Sequence, residues 1–208
     1  MNYELGIKTN FVYSKNLGEV WKEEIVMPEK QKFQKWIFVL AENIPQKIDF
    51  KVRLKGRGSR AEIVIAYLGK DKDSIEMNIT LVHDAPETYG RITARAALFN
   101  ESRFIFKGML DIAPNGKGSD SYLSAKALLL SPNARAEIYP YLEIKTDEIK
   151  ASHGSSIGRI DENQLFYLQS RGVAKEEAER IILSGFFREI AREMPQEYGE
   201  KFSQIQTK

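Results

Sequence analysis

The chain has 208 residues, 42% hydrophobic and 29% charged, a composition that suits a soluble globular protein of one or two domains with a real core. Its 31 basic residues nearly balance 29 acidic ones, and a net charge of +2 gives no reason to expect nucleic acid or a membrane as partner. There is no cysteine, which excludes disulfides, thiolate catalysis and Cys-ligated zinc or iron–sulfur sites for this chain alone.

Residues 1–6 carry neither the basic nor the apolar region of a secretory signal. The apolar run at residues 36–41 is far too short to span a membrane. A cytoplasmic, soluble protein is therefore expected. Residues 1–35 are mixed and charged, broken by Pro28, and read as an irregular or strand-containing N-terminal cap.

From residue 36 to 160 the pattern is short and strand-like. Residues 48–54 alternate strictly between apolar and polar, the period of a strand with one buried face. Further segments follow at residues 61–68, 74–82, 90–99, 104–112, 122–130 and 134–142. Gly56, Gly58, Gly69, Gly90, Gly108, Gly116, Gly118 and Asn133 punctuate them as turns. Such spacing allows a sandwich, a barrel or a solenoid. Two-residue hairpin turns are lacking, which favours a β-solenoid whose coils bury their faces on one another.

At Asp161 the period becomes helical. Asp161 reads as an N-cap, with Gln164 three residues on completing a capping box, and Gly172 reads as the C-terminal stop. A second helix is expected from about Lys175 to Met194, ended by Pro195, with Ala178, Ile181, Ile182, Phe186, Ile190 and Met194 on its apolar face. The polar tail beyond Gln196 is expected to fray.

Several blocks carry a resemblance. Residues 128–136 read LLLSPNARA, 140–144 read PYLEI, 147–154 read DEIKASHG and 164–172 read QLFYLQSRG, with Gly185-Phe186 beyond them. In order and spacing these are similar to blocks of the SufB/SufD family of iron–sulfur cluster assembly scaffolds. Residues 54–58 (LKGRG), 83–88 (HDAPET) and 106–110 (FKGML) resemble it more weakly. The likeness covers residues from about 50 to 194.

The resemblance implies a mainly β protein: a right-handed parallel β-helix over residues 36–160, followed by a C-terminal pair of α-helices within 161–208. It further implies a SufD-like short form lacking the family's N-terminal domain, and a non-enzymatic scaffold subunit. The implied partners are a SufC-like ABC ATPase, docked by the C-terminal helices, and a SufB-like paralogue or a second copy, joined through strands near residues 142–157.

In the ASHG block the family commonly has cysteine where this chain has Ala151. His153, two residues on, would share a strand face with it. His153 is thus the one candidate cluster ligand or relay, also readable as an edge histidine bound to a carbonyl. No cluster is expected to bind stably to this chain alone; a transient one would need thiolates from a Cys-bearing partner. The candidate ATPase contacts are Phe166, Gln169, Arg171, Glu176, Glu179, Phe186, Phe187 and Arg188, of which Phe187, about 100° round the helix from Phe186, is expected to be the exposed one. Their apolar members also read as a cover for the open end of the β-helix. His83 reads as structural.

The alternatives are a β-helix carbohydrate-active or carbohydrate-binding protein, with a groove of aromatics and carboxylates, and a degenerate regulatory paralogue. Asp71, Asp73 and Asp84 read as solvated turns rather than a lyase site. Gly56-Arg57-Gly58 is not a phosphate loop, because no G-K-[ST] follows.

Overall fold

The computed structural model describes residues 7–203; residues 1–6 and the end of the polar tail, 204–208, lie outside the described residues. Among the described residues eleven strands alternate between two parallel sheets. One sheet holds β1 (Lys8–Tyr13), β3 (Phe33–Leu40), β5 (Arg60–Gly69), β7 (Tyr89–Leu98), β9 (Asp120–Leu129) and β11 (Lys150–Gly158) in that order. The other holds β2 (Val20–Met27), β4 (Lys47–Leu54), β6 (Ser74–His83), β8 (Arg103–Ile112) and β10 (Arg135–Ile144). Each strand therefore pairs with the strand two further along the chain, as a β-solenoid requires. Of residues 1–35, expected to form an irregular or strand-containing cap, the described part supplies β1, a 3₁₀ turn and β2, which pair in register with β3 and β4 and so continue the solenoid.

Register stacks like on like. On the inward face Trp36, Ile63, Ile92 and Leu123 form one column. Ile48, Met77, Phe106 and Ile138 form another in the facing sheet. The first three of that second column are fully buried, each side chain contributing about 1.5–3 kcal/mol. The coils are also stitched by ion pairs one turn apart: Arg53 to Asp84 and Arg57 to Glu87, 31 and 30 residues on.

One corner repeats in backbone as well. Gln31, Gly58, Glu87 and Gly118 all have positive φ, between 54° and 70°. Their N–H groups donate to Arg57, Pro86, Lys117 and Glu148 carbonyls of the next coil, at 2.6–3.1 Å. Glycine occupies two of these four positions, where a left-handed backbone disfavours a Cβ.

Three helices follow among the described residues: α1 (Glu162–Ser170), α2 (Lys175–Ala191) and α3 (Gln196–Ser203). The Asp161 carboxylate accepts from the Asn163 N–H at 2.8 Å, capping α1. Gly172, at φ 86°, ends it in a Schellman motif, with Gly172 N–H on the Gln169 carbonyl and Val173 N–H on that of Leu168. α2 and α3 lie against the outward face of the six-stranded sheet, rather than over the open end of the solenoid, which was the second reading of their apolar members. Leu183, Phe187, Ile190, Ala191, Met194 and Phe202 bury against Ile37, Val39, Val64, Ala66, Leu68, Ala97 and Phe99. The tail expected to fray instead forms α3, where Phe202 meets Phe187 at 4.9 Å between ring centroids and Tyr198 meets Tyr13 at 4.6 Å. No helix among the described residues is long and apolar enough to cross a membrane.

Candidate functional site

The solenoid stops abruptly at its C-terminal coil. β10 and β11 end their sheets, and no further strand pairs with either among the described residues. Ala151, His153, Ser155 and Ile157 register with inward-facing Ser121, Leu123, Ala125 and Ala127 of the previous coil. They therefore face the direction of the core, but no next coil covers them. His153 continues the Trp36–Ile63–Ile92–Leu123 column, yet it is exposed where Leu123 is fully buried. Ala151 shares its face, as the strand period requires.

The facing strand is open in the same way. Ile144 extends the inward column of Ile112, and both Ile144 and Ile157 are 44% exposed. Ile138 and Leu142 are half-buried. The end thus presents apolar side chains, one imidazole and two strand edges. Such an edge is a ready template for pairing with another chain.

The donor set limits what this end holds by itself. Among the described residues no group of three or more His, Asp or Glu is placed to hold a metal ion, and the chain has no thiol. Of the usual metal-binding side chains this end offers the His153 imidazole.

The helices offer a second surface. α1 buries no residue at all, which is unusual for a helix on a folded domain. Phe166 is 72% exposed, and Tyr167 beside it is also exposed, with the Arg171 guanidinium 5.4 Å over its ring. Between α1 and α2 lies an open hollow of about 400 Å³ lined by Asn163, Gln164, Tyr167, Leu168 and Ile182. Gln169, Glu176 and Arg188 are exposed, and Glu179 is half-buried, 3.9 Å from Lys175.

The face of α2 differs from expectation. Phe187, expected to be the exposed contact, is fully buried, whereas Phe186 is half-buried and Ile181 is 44% exposed. The row Leu183–Phe187–Ile190 turns inward because the sheet beneath it is itself apolar on its outer side. Sequence reasoning did not single out Tyr167, Ile144 or Ile157; all three lie inside or beside the blocks that carry the resemblance.

His83 is fully buried, its two ring nitrogens hydrogen-bonded to Thr88 Oγ1 at 2.7 Å and Ser121 Oγ at 3.0 Å. Thr88 in turn reaches Ser119 Oγ at 2.8 Å. Burial, with the Arg91 charge adding to it, pushes the imidazole pKa down to about 4. His83 therefore joins two coils in its neutral form and faces no solvent.

Comparison with known proteins places the chain in a family. A family model described as the SufBD core domain of SUF-system FeS cluster assembly matches residues 22–186. An iron–sulfur cluster assembly SufBD family protein of Mycobacterium bovis is 30% identical over 167 residues, covering 78% of this chain and 20% of the relative. One from Mycobacterium leprae is 34% identical, covering 69% of this chain and 39% of the relative. One from Staphylococcus aureus is 29% identical, covering 73% and 33%. The chain thus spans between a fifth and two fifths of the length of these relatives.

Proposed function

The chain belongs to the SufBD family of iron–sulfur cluster assembly proteins, and from that premise we propose that it is a SufD-like, non-enzymatic scaffold subunit that pairs through the open end of its solenoid. The observation that carries the reading is the open end itself: unpaired edges of β10 and β11, with Ile144 and Ile157 exposed. A Cys-bearing SufB-like paralogue, or a second copy of this chain, covers that end. Pairing removes the two isoleucines from water, each gaining about 25 cal/mol per Å² buried.

The cluster is cargo at the shared interface rather than a resident group. In the pair with the Cys-bearing paralogue, thiolates come from that partner, and His153, exposed at the head of its column, supplies an imidazole beside them. A SufC-like ABC ATPase docks on α1 and the adjoining part of α2, where Phe166, Tyr167, Gln169 and Arg171 are exposed. ATP-driven movement of the helices then opens and closes the pair. The complex works in the cytoplasm.

Anaerobic reconstitution with iron and sulfide tests the ligand assignment. The expected result is no stable cluster on this chain alone, a cluster on the pair with the thiol-bearing partner, and an altered absorption spectrum with His153→Ala. A stable cluster on the isolated chain would refute the assignment.

A further inference from the structure

The outward face of the six-stranded sheet is only partly covered by α2. Beside the last turns of that helix, β5, β7 and β9 and the helix enclose a groove of about 500 Å³. Register sets its floor. Thr93 of β7 pairs with Ser124 of β9, and Arg95 pairs with Lys126. Two hydroxyls therefore share one row and two cations the next, on one face of adjacent strands. Neighbouring strands stand about 4.8 Å apart, and like charges so placed repel.

The nearby carboxylates are committed elsewhere. Glu62 and Glu193 both bind the Lys35 ammonium, at 2.6 and 2.5 Å. Asp120 binds Arg91 at 2.8 Å, and Arg91 also lies over the Tyr89 ring at 4.0 Å. The carboxylate nearest Arg95 is that of Glu189, 3.8 Å away on a side chain 79% exposed at the mouth of the groove. Lys126 has no ion pair among the described residues.

Arg95 is the unusual member. Its side chain is only 11% exposed. Through Nη1 it donates to the Ala94 carbonyl at 3.0 Å and the Ser124 hydroxyl at 3.2 Å. A guanidinium has five N–H donors, so Nε and Nη2 retain donors for another acceptor. Burial pushes its pKa below the usual arginine range, and Glu189 offsets that only in part. A desolvated cation whose one counter-charge is a mostly exposed carboxylate at 3.8 Å is costly.

We propose that this groove binds a phosphate-class oxyanion, held by Arg95 and Lys126 together with the hydroxyls of Thr93 and Ser124. The set consists of donors, and its two charges match a phosphate dianion, which carries about −1.5 to −2 at neutral pH. Tyr122 adds a hydroxyl at the rim. Its phenol lies over Gly154, where a Cβ would stand 2.9 Å from the hydroxyl oxygen, so glycine there leaves the ring its place. The ligand is inorganic phosphate or the phosphoryl end of a nucleotide, since both present the same oxygens. The site lies on the flank of the solenoid, independent of pairing at its end and of docking on α1.

Calorimetric titration of the full chain at low ionic strength tests this, with inorganic phosphate and ADP as separate probes. Saturable binding is expected. Lys126→Gln, at an exposed position that leaves folding intact, weakens it about tenfold or more, as loss of one charge-assisted bond implies. Glu189→Gln strengthens it by removing the competing carboxylate. ADP binding more tightly than phosphate identifies a nucleotide, and equal binding identifies free phosphate. Absence of saturable binding with both probes, or an affinity unchanged in Lys126→Gln, overturns the proposal.

Discussion

Leu123 and His153 are register partners on β9 and β11, yet Leu123 is fully buried and His153 is exposed. The same column position changes from core to surface within one coil. That step locates the end of the solenoid and makes β10, β11 and their inward side chains an unsatisfied surface.

The helical surface separates two aromatic residues that the sequence makes look alike. Phe166→Ala is expected to change stability by no more than about 0.5 kcal/mol, because the ring is mostly in water. Under the proposed docking of a SufC-like ATPase on α1, it should weaken that binding by at least about 2 kcal/mol, as loss of a central aromatic contact does. Phe187→Ala is expected to cost about 3–5 kcal/mol of folding stability by leaving a cavity against Phe202 and the sheet. Urea unfolding and a binding titration on the two variants check both. Equal stability losses would contradict the burial pattern.

His83 gives stability a pH dependence. Its folded pKa, about 4, lies below the unfolded value near 6.5. The unfolded chain therefore takes up the proton first as pH falls. Stability is full above about pH 6.5 and declines towards pH 4, by roughly 3 kcal/mol in all. Unfolding free energy measured across that range should fall in wild type and fall less in His83→Gln. A matching slope in the variant would remove His83 as the cause.

Gly56 is fixed by close approach rather than by its dihedrals. A Cβ there would stand 1.9 Å from the Glu29 carbonyl oxygen. Gly56→Ala forces the β2–β3 connection away and is expected to cost about 3 kcal/mol or more, with a lower thermal midpoint as readout. Gly185→Ala, with open space around the added carbon, is expected to raise stability by about 0.5–1 kcal/mol, as helix propensity implies.

Most of the solenoid was legible because alternation is a strong signal where one face is wet. Residues 48–54 alternate strictly between apolar and polar and fold as β4. β1 and β2 were obscured because Lys22, Glu23 and Glu24 break the alternation of β2, a strand at the far edge of its sheet. The helix face was misread for a related reason. Ile182 with Phe186, and Leu183 with Phe187, form two overlapping apolar rows, and helical period alone does not choose between them. The choice lies in the sheet: residues 36–40 and 63–68 are continuous apolar runs, the pattern of strands buried on both faces. Read that way, they announce a cover on the outer side of the sheet. The groove beside α2 had no local signal, since Arg95 and Lys126 are 31 positions apart and meet only through strand register.

The central claim is that the open end at β10 and β11 is a pairing surface. Sedimentation velocity on this chain, alone and mixed with a Cys-bearing SufB-like partner, tests it most directly when repeated with Ile144→Lys and Ile157→Lys combined. A one-to-one pair is expected, with a second copy or with the partner, that the double variant loses while keeping its folded spectrum and thermal midpoint. A pair that forms equally well with both lysines in place would contradict it.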